Sequence, residues 1–351
     1  MAEKILDVND LRVSFDTYGG SVKAVRGVSF HVNENETLAI VGESGCGKSV
    51  TMQTVMGLIA MPPGHIDSGS IRFRGGELTG RSDKEMQRYR GSVFSMIFQD
   101  SMTSLDPTMR VGKQMIEGIR RHQKLSRKEA TEIAVDMLGQ AGLPEPEKVF
   151  RRYPHTLSGG QRQRVMIAMA LCSRPEILIA DEPTTALDVT TQAQILDIML
   201  EMKEKLSTSI ILITHDLGVV ARMADRIAVM YAGQIVETGT ADEIFYNPCH
   251  PYTWGLIGSM PNLIQDVKEE LYSIPGAPPD LFSPPKGCAF AARCEYCMKA
   301  CRKMEPPEFV CSDGHKSKCW LMDDRAAEVR PPAGVTTVSR TVAGGKGGTQ
   351  V

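Results

Sequence analysis

Long apolar runs are missing from this sequence. No stretch approaches the roughly 20 residues that a membrane-crossing helix needs, and no signal-peptide apolar core follows Met1-Ala2-Glu3-Lys4. A cytosolic chain is expected, with any membrane role supplied by a partner. A dominant charge is also missing. The 40 basic and 42 acidic side chains leave a net charge of -2, which provides no electrostatic footprint for DNA or RNA, so no nucleic-acid partner is expected. Cysteine is sparse outside one region: of 9 in the chain, most lie between Cys288 and Cys319. In a reducing cytosol disulfides explain such a cluster poorly, and metal or iron–sulfur ligation becomes the leading reading. The remaining composition, 42% hydrophobic and 23% charged over 351 residues, is that of a soluble globular protein with room for two or three modest domains.

The stretch that organises the chain is Gly42-Glu43-Ser44-Gly45-Cys46-Gly47-Lys48-Ser49. A strand-like run, Thr37 to Val41, precedes it and a helical run from Ser49 to Met56 follows. Gly-x-x-x-x-Gly-Lys-Ser in a strand–loop–helix setting is a phosphate-binding loop. Its glycines let backbone N–H groups turn inward around phosphates, and the helix N-terminus presents further amides and its positive dipole end. Lys48 supplies a point charge and Ser49 a hydroxyl for Mg²⁺. Gly42, Ser44, Gly45, Cys46, Gly47, Lys48, Ser49 and Thr51 form the expected nucleotide-contacting set.

Before this loop, Ile5 to Val8, Leu11 to Phe15 and Gly27 to Val32 alternate apolar with polar residues, with a Gly19-Gly20 turn between the last two. The pattern predicts an antiparallel sheet. Phe15, or Tyr18 in the turn, can stack on a nucleotide base, although Phe15 fits core packing equally well. After the loop, a strand from Gly69 to Arg74, a polar helix from Asp83 to Arg90 and a buried strand from Ser92 to Phe98 are expected. Gln99 at the end of that strand can reach a metal or an attacking water. Helical periodicity from Val111 to Glu117 and from Arg127 to Leu138 reads as a helical insertion into an α/β core.

Leu157-Ser158-Gly159-Gly160-Gln161 then precedes an apolar helix from Val165 to Ser173. Taken alone it is either a helix cap or a second anion site. Ile177-Leu178-Ile179-Ala180-Asp181-Glu182 is an apolar strand ending in two carboxylates. Asp181 suits Mg²⁺, and Glu182 suits orientation of the water that attacks a γ-phosphate. Beyond Ala186-Leu187-Asp188 and a helix from Thr191 to Leu206, the strand Ile210 to Thr214 leads into His215. Ligands in open α/β sheets bind beyond the carboxyl ends of strands, and His215 is read as a γ-phosphate contact.

With these residues in hand, the chain resembles the nucleotide-binding subunits of ABC transporters over roughly residues 5–245. The fold class implied is α/β: an ABC-type P-loop ATPase core with an antiparallel β subdomain and a helical subdomain, plus a small Cys-rich C-terminal extension. The resemblance makes Gly42 to Ser49 the Walker A, Gln99 the Q-loop, Leu157 to Gln161 the signature, Ile177 to Glu182 the Walker B, Ala186 to Asp188 the D-loop and His215 the switch histidine. Two such domains face each other head to tail in that family. Ser158, Gly159, Gly160 and Gln161 are thereby expected to act on the partner's nucleotide. ATP and Mg²⁺ are the implied cofactors, with Ser49, Gln99 and Asp181 on the metal. Closure on ATP and opening on hydrolysis would drive transport, with the helical insertion touching the membrane subunits.

The C-terminal third narrows the family. Asn247 to Thr253, Ile274 to Pro279 and Gly287 to Cys294 are similar to the tail of the oligopeptide/dipeptide permease ATPases, a group that includes nickel importers. Peptide import is the expected function; a nickel importer, an exporter or a soluble ATPase on nucleic acid or ribosomes are the alternatives. The last usually has two cassettes or a long coiled coil, and neither is visible. Expected partners are two transmembrane permease subunits, a second ATPase (a related chain, or an identical copy) and an extracytoplasmic peptide-binding protein, with the chain peripheral on the cytoplasmic face of the membrane. Cys288, Cys294, Cys301 and Cys319 suit a tetrahedral Zn²⁺ or a [4Fe–4S] cluster, and the resemblance favours the cluster. Cys297 and Cys311 fall outside that pattern, Cys294-x-x-Cys297 is also a zinc hairpin, and buried free thiols are the remaining reading. The expected domains are 1–250 for nucleotide binding, with the helical part at about 100–160, then 251–325 for the extension and 326–351 as a disordered tail.

Overall fold

The computed structural model describes residues 3–99, 104–185, 187–260, 273–327, 329–332 and 335. Most of the tail expected at 326–351 lies outside them, as does Ala186. The chain opens with a long hairpin, β1 (Lys4–Thr17) and β2 (Gly20–Asn33), closed by Tyr18-Gly19. The two apolar segments before the turn belong to one strand. A register shift between Val8 and Leu11, with Asp10 at φ 41, resets the alternation so that Leu6, Val8, Leu11 and Val13 are all buried. Next come β3 (Thr37–Val41), α1 (Lys48–Val55), β4 (Gly64–Phe73) and the short β5 (Gly76–Glu77). Strands β2-β1-β4-β5 form an antiparallel sheet.

The chain continues through α2 (Asp83–Met86), β6 (Phe94–Ile97), α3 (Val111–His122), α4 (Arg127–Gln140), α5 (Pro146–Arg151), α6 (Gly159–Leu171), β7 (Ile177–Asp181), α7 (Val189–Leu206), β8 (Ser209–Thr214) and α8 (Leu217–Met223). Helix starts follow cap chemistry. Ser82 with Glu85, Ser126 with Glu129 and Ser158 with Gln161 form reciprocal capping boxes. The last box starts α6 at Gly159, six residues ahead of the apolar periodicity, because it satisfies the end amides there. The remaining elements are β9 (Arg226–Tyr231), β10 (Gln234–Thr240), α9 (Ala241–Tyr246), α10 (Pro251–Gly258), α11 (Lys299–Lys303), β11 (Phe309–Ser312) and β12 (His315–Ser317).

The second sheet runs β11-β12-β10-β9-β3-β8-β7-β6, with β9-β3-β8-β7-β6 parallel. Its central strands β3, β7 and β8 are buried throughout, as a sheet covered on both faces requires. The period of two sorts their side chains into two cores. Leu38, Ile40, Ile177, Ile179, Ile211 and Ile213 pack toward the antiparallel sheet, whereas Ala39, Val41, Leu178, Ala180, Ile210 and Leu212 pack with the helices. The C-terminal hairpin β11-β12 extends this same sheet through β10. No helix among the described residues is long and apolar enough to cross a membrane.

Ile211 has 0% exposure at the centre of this arrangement. Ile211→Ala is expected to cost about 2–5 kcal/mol of stability, while Tyr18→Ala at the exposed hairpin tip should stay within about 0.5 kcal/mol. Denaturant unfolding midpoints of the two variants check this, and equal shifts would contradict the two-core packing.

Candidate active site

Strand β3 delivers the chain into the glycine loop under tight steric limits. A Cβ on Gly42 would lie 2.0 Å from the Met230 carbonyl oxygen, and one on Gly47 2.5 Å from that of Ala24. Gly47, at φ 100, is the N-cap of α1 and offers no side-chain cap, so the first amides of α1 remain available to an anion. The buried Lys48 Nζ donates to the carbonyl oxygens of Gly42 at 2.7 Å and Glu43 at 3.0 Å. Ser44 and Gly45 are exposed at the rim of the loop, and Cys46 sends its side chain into the core. Thr51 Oγ1 donates to the Gly47 carbonyl at 2.8 Å, so this hydroxyl stiffens the start of α1. Phe15 is partly buried against the antiparallel-sheet core, which is the packing alternative for that ring.

Strands β8, β7 and β6 end beside β3 and bring the acids to the loop. Asp181 is 4% exposed; its side chain takes a hydrogen bond from Ser49, and its Oδ1 has no protein partner. Burial raises its pKa, and the neighbouring Glu182 charge adds to this, against the pull of Ser49 and Lys48. An orphaned buried carboxylate oxygen beside a hydroxyl is the donor pair a hard oxygen-seeking cation takes, so these residues fit Mg²⁺.

Glu182 leaves the strand at φ 47 and is held by three side chains. His215 Nδ1 lies 3.1 Å from its Oε1, while Gln99 Nε2 donates to Oε2 at 2.8 Å and Thr185 Oγ1 at 3.0 Å. Burial alone would raise the pKa of Glu182, yet the bonds from His215 and Thr185, with the charges of His215 and Lys48, hold it below the ordinary glutamate value. Gln99, Glu182 and His215 thus meet as one constellation.

The signature segment is organised differently. Ser158 accepts from the Gln161 amide at 3.3 Å, and Gln161 Oε1 accepts from the Ser158 amide at 3.2 Å. A Cβ on Gly160 would sit 2.8 Å from Thr191 Cγ2, so α6 presses on the start of α7. Asp188 caps α7 by accepting from the Thr191 amide and hydroxyl at 2.9 and 2.7 Å.

Comparison with known proteins matches residues 25–185 to the ABC transporter family and residues 236–301 to the oligopeptide/dipeptide transporter C-terminal region. The oligopeptide transport ATP-binding protein OppD of Bacillus subtilis is 59% identical over 97% of this chain and 95% of its own length. The dipeptide transport ATP-binding protein DppD of the same organism is 56% identical over 92% and 96%. This chain belongs to the ABC transporter ATP-binding subunits, in their oligopeptide/dipeptide branch. Among solved structures, the dimeric cassette MJ0796 in a post-hydrolysis state bound to ADP and Pi superposes with a TM-score of 0.61 at 25% identity, over 67% of this chain and 98% of that one. The cbiO1 structure from Clostridium perfringens, part of the ABC transporter complex cbiONQ, gives 0.60 at 30% identity over 69% and 91%. As an ABC ATPase, the subunit uses ATP with Mg²⁺.

The ABC cassette also draws on residues with no role in the sequence reading. Arg293, from the extension, grips Glu43 of the phosphate loop with both nitrogens, Nη1 to Oε2 at 2.7 Å and Nη2 to Oε1 at 3.0 Å. Tyr252 on α10 accepts from the Glu43 amide through its hydroxyl at 2.9 Å. Both residues lie in segments with a family-like sequence, but no local pattern marks their contact with a loop some 200 residues earlier.

The extension's cysteines partition in space. Burial raises the thiol pKa of Cys288 to about 11 and of Cys294 to about 12, and those of Cys301 and Cys319 also rise. Cys288, Cys294 and Cys301 each add to the shift of Cys319, so the four expected positions share one neighbourhood. Cys297 joins them, acting on Cys288, Cys294 and Cys301.

The Arg293 side chain is 6% exposed and that of Glu43 27%. Arg293→Ala is expected to cost about 1–3 kcal/mol of stability, because it strands a partly buried carboxylate, and to weaken ATP binding by loosening the loop's entry. Thermal unfolding and nucleotide titration read the two effects; unchanged ATP affinity would mean that the fork does not support the loop.

Proposed function

We propose that this chain is the ATP-hydrolysing subunit of an importer of oligo- or dipeptides, peripheral on the cytoplasmic face of the cell membrane. The observation that carries the reading is the convergence of Gln99, Glu182 and His215 beside the Ser49–Asp181 pair and the glycine loop, in a chain whose C-terminal segment matches a peptide-transporter family. The loop amides and Lys48 bind the phosphates. Ser49, Asp181 and Gln99 would hold Mg²⁺, which would supply positive charge to offset the charge that develops on the phosphoryl oxygens. Glu182, ionised because its partners favour the charged form, orients the attacking water and polarises its O–H bond. His215 holds Glu182 through Oε1 and faces the γ-phosphate position, while Gln99 ties the same carboxylate to the end of β6. Phe15 is the ring proposed to face adenine.

Ser158, Gly159, Gly160 and Gln161 present the N-terminus of α6 to the nucleotide of a second ATPase subunit, and Asp188 lies at that interface. Two transmembrane permease subunits receive the motion, and an extracytoplasmic peptide-binding protein delivers cargo. The second ATPase is proposed to be a related chain. Cys288, Cys294, Cys301 and Cys319 are proposed to ligate a [4Fe–4S] cluster, with Zn²⁺ as the alternative; their common neighbourhood supports the cluster, whose ligands stand farther apart than those of a single zinc ion.

Affinity purification of the chain from detergent-solubilised membranes should recover two polytopic subunits and a second ATPase. Recovery of ribosomes or repair proteins instead would overturn the transport role. Glu182→Gln should keep ATP affinity, lower turnover by about 10²–10⁴-fold and accumulate a closed ATP-bound dimer; undiminished turnover would remove Glu182 from the chemistry. Anaerobically purified protein is expected to contain iron and sulfide, and absence of iron, sulfide and zinc together would sink both metal assignments for the four thiols.

A further inference from the structure

Two cysteines stand outside both the cassette core and the four-thiol neighbourhood. Cys249 lies between α9 and α10, and Cys311 lies on β11. They converge with His315, the first residue of β12, so that one donor atom from each lies within 4.8 Å of the other two. Among the described residues this is the only such group of three metal-ligating side chains.

The convergence is built into the fold. Strands β11 and β12 pair Ser312 with His315 across the Asp313-Gly314 turn, where Gly314 takes φ 87. Strand β12 then pairs with β10, Glu237 opposite Ser317. From β10 the buried Glu237 fixes two of the three residues with a single oxygen. Its Oε1 lies 2.8 Å from His315 Nε2 and accepts from the Cys249 amide at 2.6 Å. Its Oε2 accepts from the His250 amide at 2.9 Å and the Thr253 hydroxyl at 2.5 Å. An ionised carboxylate at this distance accepts from Nε2–H, so in the neutral ring Nδ1 carries the lone pair, the way a carboxylate orients a metal-bound imidazole.

We propose that Cys249, Cys311 and His315 form a binding site for one borderline-soft divalent cation of the Zn²⁺ type, through both sulfurs and His315 Nδ1, with water in the fourth position. Two thiolates and an imidazole are the donor set such a cation prefers over hard oxygen-seeking ions. Sulfur–metal bonds of about 2.3 Å place tetrahedral thiolates roughly 3.8 Å apart, so only a small closing movement is required. Binding releases both thiol protons to solvent, and the two thiolates balance the cation's charge. Cys249 and Cys311 are half-buried, which gives the ion a path in. The bound ion would clamp the C-terminal hairpin to the α9–α10 junction.

The test uses the full chain, reduced and freed of metal by a chelator, and titrated with Co²⁺ under argon. Thiolate-to-cobalt charge-transfer absorption reports binding, and elemental analysis gives stoichiometry. Cys249→Ser and Cys311→Ser, both at half-exposed positions, should each lose one equivalent of cobalt per chain or bind it at least about tenfold more weakly, with the rest of the bound cobalt unchanged. Cys294→Ser, in the separate thiol neighbourhood, should retain that equivalent, and excess Zn²⁺ should displace it. ATP binding by each variant reports that it is folded. Equal cobalt content in wild type, Cys249→Ser and Cys311→Ser overturns the site. So does a Cys249–Cys311 disulfide that forms on air exposure equally with and without Zn²⁺, since a bound ion must protect both sulfurs.

Discussion

The parallel hydrogen-bond ladder that joins β6, β7, β8 and β3 is the constraint on which the rest of this molecule depends. It pairs Val41 with Thr214, Asp181 with Ile213 and Ile97 with Ala180. The strands therefore end nearly in step, and the chain leaves each of them at the same edge of the sheet. Gly42, Gln99, Glu182 and His215 come together for that reason, although they lie far apart in sequence. A backbone ladder buried on both faces places these residues more firmly than surface loops would, because moving one strand disrupts both cores that its side chains enter. The site takes its precision from the sheet.

At that edge, two adjacent carboxylates receive opposite treatment. Asp181 is still in the strand, buried with one oxygen unpaired, and its charge is disfavoured until something compensates it. Glu182 has turned out of the strand at φ 47 and collects bonds from Gln99, Thr185 and His215, which favour its charge. One residue of separation is sufficient because side chains alternate across a strand, so neighbours enter different environments. The proposed mechanism uses this split, with the buried acid on a cation and the ionised acid on the attacking water.

Much of this was legible in the sequence because the signals are local. The glycine loop, the strand ending in Asp181 and Glu182, and the Ser-x-x-Gln of the signature each declare themselves within about eight residues, through backbone conformation, period or cap chemistry. The bulge at Asp10 was not legible, since a bulge imitates the end of one strand and the start of another. The Arg293–Glu43 fork and the Tyr252 contact were hidden for a different reason. They pair the extension with the phosphate loop, and nothing in either segment names its partner. Cysteine spacing had the same limit: it singled out Cys288, Cys294, Cys301 and Cys319 but left Cys311 without a role, because Cys249, which converges with Cys311 and the nearby His315, lies on the far side of α10 in the sequence.

These long-range contacts change how the extension relates to the cassette. Its hairpin continues the main sheet beyond β10, and two of its side chains, Arg293 and His315, meet carboxylates of the cassette, one partly and one fully buried. Glu237 has 0% side-chain exposure and receives two backbone and two side-chain partners, all but one of its hydrogen-bonding groups coming from the α9–α10 region rather than the hairpin. A carboxylate so deep is tolerated only when it is fully satisfied, so the hairpin supplies a bond that the cassette needs. Arg293 does the same for Glu43 at the mouth of the phosphate loop. The extension is therefore part of the cassette's polar framework, and its contact with the phosphate loop runs through the Arg293–Glu43 fork.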